Sequence, residues 1–420
     1  MNQTTKLPNE PACKRLYAWI AIVVFALLPC AVRADIVTEW NERAFAAMEA
    51  EKVTGGFGPA RILTIMHAAM FEAVNAVDRR YTSYSGATLD ATGASPEVAV
   101  HAAARRALAE LLPRQKPMLD AAFDAAMLRA PDGAARSAGI AAGEKAAMTV
   151  VEQRKTDGAN SPNTYRPPLA AAGVYVPTTM PALTFVASVK PLALTSVSQF
   201  RPGPPYALSS AAWARDYNET KELGSTKSTQ RSAWQTETAR FWFLVGTPAW
   251  NQAARSLSAS KPQPLTESAR LFAHLNMAIA DAYLAVFDAK YQYNFWRPIT
   301  AIRNGDRDGN DATERDAGWT PVIDTPLHPE YPCSHCTVDG AAGAVLKSVF
   351  GMGPVPEFTL TFADMPGVTR RYTSIQQLEE EVSMARIWGG VHFRTSNEVG
   401  HSLGKQVGEY VLSTHLRPAR

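Results

Sequence analysis

The sequence predicts an all-α fold, a large helical bundle with long loops. Three observations carry this. Long stretches are rich in alanine and other helix formers, apolar residues recur at steps of three or four, and alternating strand-like runs are few, with Val174-Tyr-Val-Pro177 the best short candidate. The chain has 420 residues, 46% hydrophobic and 19% charged, which is enough to bury a large core.

In chain order, residues 1–34 read as a targeting segment. Lys14 and Arg15 are its basic start, Leu16 to Val32 is an uncharged apolar run, and Val32-Arg-Ala34 offers small residues for cleavage before Asp35. A cleaved signal peptide and an uncleaved single-span anchor both fit a run of this length. Cleavage implies an exported protein, periplasmic or secreted. It would also remove Lys6, Lys14, Arg15 and Arg33 against Glu10, so 42 basic and 39 acidic residues would become 38 of each. A neutral chain with no basic stripe of interleaved aromatics predicts no nucleic-acid partner. No second apolar run reads as long enough to span a bilayer, so no stable membrane association is expected after cleavage. An oligomer is compatible with the sequence.

Residues 35–420 read as one helical domain, since no flexible linker divides them. Residues 97–111, 118–129 and 134–153 are alanine-rich with helically spaced apolar positions. Residues 155–210 carry many Pro, Thr and Ser and read as a long connector. Phe272, Leu275, Ile279, Tyr283 and Phe287 mark one face of a helix. Residues 303–337, with clusters of Gly, Asp and Pro, form a second connector, and loops this long in a compact protein are commonly functional. Val338, Ala342, Val345, Leu346 and Val349 repeat the helical pattern, and Gly351 follows as a stop.

Three blocks within residues 290–400 carry chemistry. They are Lys290-Tyr-Gln-Tyr-Asn-Phe-Trp-Arg297-Pro298, Pro332-Cys-Ser-His335 and Arg386-Ile-Trp-Gly-Gly-Val-His392. Taken singly, each residue reads as a surface charge, a cap or a core histidine. Together they offer two guanidinium forks and an ammonium for an oxyanion, and two histidines for ligation, attack or proton transfer. Lys290 and Arg297 are seven apart, two turns of a continuous helix and so one face. His335 is expected just before the helix at 338, where backbone amides favour an anion. Ser334 or Cys333 would cap that helix, with serine the better cap. Gly389 and Gly390 allow a break between Arg386 and His392. Cys333 and Cys336 fit a local disulfide or two free thiols. No second pair completes a zinc site.

This pattern resembles the superfamily that unites type 2 phosphatidic acid phosphatases with vanadium-dependent haloperoxidases. Its signature is Lys, six residues, Arg-Pro; then Pro-Ser-Gly-His; then Ser-Arg, five residues, His, three residues, Asp. Lys290, Arg297 and Pro298 match the first block, Pro332 and His335 the second, Arg386 and His392 the third. His67-Ala-Ala-Met-Phe-Glu-Ala-Val-Asn-Ala-Val77, Gln199-Phe-Arg-Pro-Gly-Pro-Pro205 and Glu237-Thr-Ala-Arg-Phe-Trp242 look like the soluble, exported haloperoxidase-like branch. The resemblance implies a helical bundle of the haloperoxidase and acid phosphatase type with the site deep in its core. Lys290, Arg297, Ser334 and Arg386 would bind vanadate or phosphate, and His335 and His392 would be catalytic, with His392 the vanadium ligand when vanadate is the cofactor. Hydrogen peroxide and halide would be the substrates, or a phosphoester in the phosphatase alternative, where His392 attacks phosphorus. A non-catalytic oxyanion-binding protein is the further alternative. The chain departs from the signature at Cys333, which stands for the hydroxyl donor, and at Ser334, which stands for Gly. Ala385 stands for Ser, and Ser396 stands for the Asp that would orient the last histidine, a role Glu398 or another residue would have to fill.

Overall fold

A computed structural model describes residues 35–244 and 246–419 together with Met1. The proposed targeting segment, with Cys13 and Cys30, lies outside the described residues. Residues 34–420 form one compact unit, and the fold is all-α. The helices run α1 Ile36–Ala50, α2 Phe57–Asp78, α3 Pro96–Leu111, α4 Lys116–Met127, α5 Ala134–Arg154, α6 Ala211–Leu223, α7 Ala233–Phe241, α8 Gly246–Ser260, α9 Leu265–Tyr293, α10 Pro298–Arg303, α11 Ser334–Phe350, α12 Ile375–Trp388 and α13 Arg394–Thr414. A small antiparallel hairpin, β1 Phe358–Leu360 with β2 Arg370–Tyr372, precedes α12.

Helix α9 is the axis of the fold. It packs against α1, α2, α8, α11 and α13, while α2 packs in turn against α3 and α5. By length and composition α9 is apolar enough to cross a membrane, contrary to the sequence expectation, yet its most apolar stretch is wholly buried. A helix enclosed on every side needs no polar face, and that explains its composition. Helices α11 and α13 cross closely because Gly404 lies against α11, where a Cβ would fall 1.8 Å from the Thr337 carbonyl.

Several elements differ from expectation in ways that shape the site. The apolar face at 272–287 is one part of the longer α9. That helix does not continue to Arg297: Asn294 ends it in the left-handed conformation (φ 46°), which Asn tolerates better than most residues. Lys290 and Arg297 are therefore brought together by a turn, not by one helical face. The helix expected at 338 begins at Ser334, so His335 lies inside its first turn. Cys333, not serine, is the N-cap, its Sγ accepting from the Cys336 N–H at 3.3 Å. Val174 forms a single antiparallel bridge with Phe295 and no strand. The bridge has a use, because Tyr175 N–H donates to Asn294 O and Trp296 N–H to Gly173 O, fixing the turn that delivers Arg297. A second apolar cluster of Trp213, Tyr217, Phe295, Trp296, Trp319, Tyr331 and Phe393 packs behind this turn.

Candidate active site

The end of α9, the start of α11 and the break between α12 and α13 meet in the core. Lys290, Arg297, Arg386 and His392 are at most 1% exposed, Ser334 is buried at 6%, and His335 is walled in by protein although part of its surface remains open. The charges of Lys290, Arg297 and Arg386 all bear on both His335 and His392, so the structure brings the three blocks together. Ser334 is adjacent as the first residue of α11. Its hydroxyl makes no hydrogen bond among the described residues, so any donation to an anion would come from a side chain not yet engaged.

Each cation is held differently. Lys290 Nζ donates to the carbonyls of Pro329 (3.0 Å), Glu330 (2.8 Å) and Pro332, and so ties down the loop leading into α11. Burial, then the neighbouring Arg297 charge, pulls its pKa well below the usual lysine range. Arg297 donates through Nε to His328 O (2.8 Å) and through Nη1 to Val391 O (2.8 Å). Its Nη1 also lies 3.2 Å from His392 Nε2. Burial brings its pKa down to about 10. Arg386 donates through Nη1 to Trp242 O at 2.6 Å. Its Nε and Nη2 are buried without a hydrogen-bond partner among the described residues, as is His335 Nε2.

His392 sits where Gly389 caps α12 and Gly390 turns the chain with φ +74°. Its Nδ1 lies 2.8 Å from Glu330 Oε1, which also accepts from Phe393 N–H at 3.1 Å. A carboxylate acceptor at Nδ1 places the ring proton there and leaves the Nε2 lone pair directed toward Arg297. Burial, reinforced by the Arg297 charge, keeps His392 neutral, its pKa well below the ordinary histidine value. His335 is kept neutral by burial and Arg386. Burial raises Glu330 to about 7 against the pull of Lys290 and Arg297.

Glu330 is the residue that sequence reasoning missed. It fills the orienting role that Ser396 cannot and that exposed Glu398 does not reach. It comes from the other side of the site, two residues before Pro332. The available signal was a lone carboxylate inside His328-Pro-Glu-Tyr-Pro-Cys-Ser-His335. His328 also belongs here: Arg297 Nη2 lies 2.9 Å from its Nδ1, and its ring packs on Phe287 at 4.8 Å. His401 is elsewhere, 3.6 Å from Glu379.

The donor set fits a tetrahedral oxyanion. Lys290 and Arg297 face Glu330, while the carboxyl near Arg386 is that of Asp339, which burial pushes well above the carboxylate range. Buried charge without compensation is costly, and the open N–H groups of Arg386 have the geometry of a fork that grips two oxygens. A cavity of about 320 Å³ lined by Phe243, Leu244, Val322 and Ile323, among others, adjoins the segments that hold Arg386 and Gly389.

Comparison with known proteins bears on the family and the fold. The family model for the VCPO second helical-bundle domain matches residues 270–419. A curated relative, vanadium chloroperoxidase of Curvularia inaequalis, is 26% identical over 266 residues, covering 48% of this chain and 43% of that enzyme. The matched region is thus less than half the length of that relative. Among solved structures, one described as the first bacterial vanadium-dependent iodoperoxidase superposes with a TM-score of 0.76 at 23% identity, covering 91% of this chain and 97% of the other. An apo-type bacterial vanadium-dependent chloroperoxidase gives 0.70 at 16% identity, covering 84% and 92%. At these identities the structural likeness speaks for the fold.

Proposed function

We propose that this chain, which belongs to the vanadium haloperoxidase superfamily, is an exported haloperoxidase that oxidises halide with hydrogen peroxide at a vanadate site. One observation carries the reading. A neutral histidine, His392, has its Nδ1 held by a buried carboxylate and its Nε2 lone pair presented inside a box of three cations.

Bound vanadate would supply an electrophilic oxyanion that activates peroxide toward a halide. His392 Nε2 would ligate it, with the 3.2 Å contact from Arg297 Nη1 giving way to the arriving anion. Arg386 Nε and Nη2 would take two of its oxygens. Lys290 contributes charge and holds the 329–332 loop in place. Glu330 keeps the His392 proton on Nδ1 and the ring in one orientation, the part a carboxylate plays behind a ligating histidine. His335, neutral and with Nε2 open, would accept a proton from the incoming peroxide. The aromatic cluster around Trp213, Trp296 and Phe393 packs behind the site and would strengthen each of these interactions by lowering the local polarity.

A phosphohydrolase is the second reading. The same Nε2 lone pair among cations is what attack on phosphorus requires, with His335 protonating the leaving alkoxide. The deciding experiment uses the purified protein with and without stoichiometric orthovanadate. Peroxide-dependent bromination that appears only with vanadate supports the haloperoxidase. Vanadate-free hydrolysis of an aryl phosphate, inhibited by vanadate, replaces it with the phosphatase. Silence in both leaves an oxyanion-binding protein.

A further inference from the structure

The two cysteines at the start of α11 are used by neither reading. Both are buried. Their Sγ atoms lie 2.8 Å apart, and Cys333 Sγ accepts the Cys336 backbone N–H at the helix N-cap. Both feel the Arg386 charge, and Lys290 also bears on Cys333. Arg386 is the residue with two buried N–H groups open, and the neutral Nε2 of His335 sits between the cysteines in sequence, also unpartnered among the described residues. A sulfur at a helix start beside an unsatisfied guanidinium is where a thiolate and a polar oxidant are both stabilised.

We propose that Cys333 and Cys336 form a peroxide-reactive dithiol inside the oxyanion site, with Cys333 attacking a hydroperoxide and Cys336 resolving the product as an intramolecular disulfide. The proposal goes beyond the haloperoxidase reading and requires no vanadate.

In the first step the Cys333 thiolate attacks one oxygen of hydrogen peroxide. An S–O bond forms, the O–O bond breaks, and hydroxide leaves and is protonated to water. In the second step the Cys336 thiol attacks the sulfenic sulfur. The S–S bond forms, the S–O bond breaks, and the departing hydroxide takes the thiol proton as water. Two thiols lose two electrons and one peroxide becomes two waters. The open N–H groups of Arg386 would hold the leaving oxygen. The division of labour follows from the environment. Burial opposes ionisation at both sulfurs, but at Cys333 the hydrogen bond from Cys336 and the Arg386 charge outweigh it, whereas burial and the neighbouring sulfur drive the Cys336 thiol upward.

The test takes reduced full-length protein without vanadate or halide, exposes it to hydrogen peroxide, denatures it into an alkylating agent and maps the peptides, so that Cys13 and Cys30 are read separately. The expected result is joint loss of both alkylatable thiols at 333 and 336, reversed by dithiothreitol. In Cys336→Ser, Cys333 should become reactive to dimedone, the mark of a stranded sulfenic acid. In Cys333→Ser, Cys336 should remain alkylatable. Retention of both thiols in the wild type under peroxide that oxidises free cysteine overturns the proposal. So does oxidation of Cys336 in Cys333→Ser at the wild-type rate. The wild-type measurement decides the matter even if a variant fails to fold, and loss or presence of bromination activity has no bearing on it.

Discussion

Two of the buried polar clusters among the described residues differ in whether they leave cationic N–H groups open. The first joins α1, α2, α8 and α9. Asn251 and Asn276 exchange amide hydrogen bonds at 3.0 and 3.1 Å, and Asn41 Nδ2 reaches Asn251 Oδ1 (2.8 Å) and His67 Nε2 (2.9 Å). Arg255 donates to Asn41 Oδ1 at 2.5 Å and faces Glu42 at 3.3 Å, so its charge is answered at the edge. The second cluster is the candidate site, with three buried cations, Glu330 beside two of them, Asp339 near the third with its pKa raised by burial, and guanidinium protons directed at no protein acceptor among the described residues. In the first cluster only the neutral His67 Nδ1 lacks a partner among the described residues, and the interlocked amides have a structural task. Cations that the protein does not neutralise call for an anion from solution.

Removing His392 is the hardest blow to this distinction. His392→Ala is expected to take vanadate-dependent bromination, or vanadate-inhibited phosphatase turnover, down to background in a rate assay. Full activity in that variant would mean that the site has been misplaced. Arg386→Met comes next. Losing two charge-assisted hydrogen bonds, at about 1.5 kcal/mol each, should weaken orthovanadate binding roughly 100-fold by calorimetry. The anion-free protein should unfold no more easily in denaturant, since the variant removes a buried, half-answered charge. Clear destabilisation without an affinity change would make Arg386 a structural residue, like those of the first cluster. Glu330→Gln should reduce vanadate affinity by roughly tenfold to a hundredfold, through the tautomer and orientation of His392. Unchanged affinity would show that Glu330 does not position the ligand.

The sequence carried the fold class and the three blocks because both are local patterns: helical spacing in α3, α5 and α9, and fixed intervals between cations and histidines. What it did not carry depends on how distant segments meet. Asn294 ends α9 by adopting a left-handed conformation that the apolar spacing does not encode, so the route from Lys290 to Arg297 was misread. Glu330 replaces a carboxylate expected after His392, but it arrives from a loop 62 residues earlier. Spacing within one motif cannot reveal a partner supplied by another. The capping role of Cys333 was hidden by the general preference for serine, which yields here because the chain enters α11 one residue earlier.

The first cluster gives the complementary stability test. Asn251→Ala leaves the amides of Asn41 and Asn276 buried with fewer partners, and it should cost about 2–3 kcal/mol in chemical denaturation. Orthovanadate affinity of the folded fraction should not change. An affinity loss comparable to that of Arg386→Met would join the two clusters into one functional unit and dissolve the contrast between them.

The smallest effect expected is a dependence on pH. Burial, then the Arg255 charge, pushes His67 down to about 3, whereas in the unfolded chain it titrates near 6.5. Between those values the unfolded state binds a proton that the native state refuses. The stabilisation is therefore complete above pH 6.5 and is lost progressively as pH falls toward 3. From pH 7 to pH 5 the loss assigned to His67 is about 2 kcal/mol. Other buried histidines, such as His274 at about 4, add to the total fall, so the informative quantity is a difference between proteins. In His67→Gln, the decrease in unfolding free energy between pH 7 and pH 5 should be smaller than in the wild type by about 2 kcal/mol. Equal decreases would mean that His67 is protonated in the native state, and that the first cluster carries a charge it does not answer, as the second does.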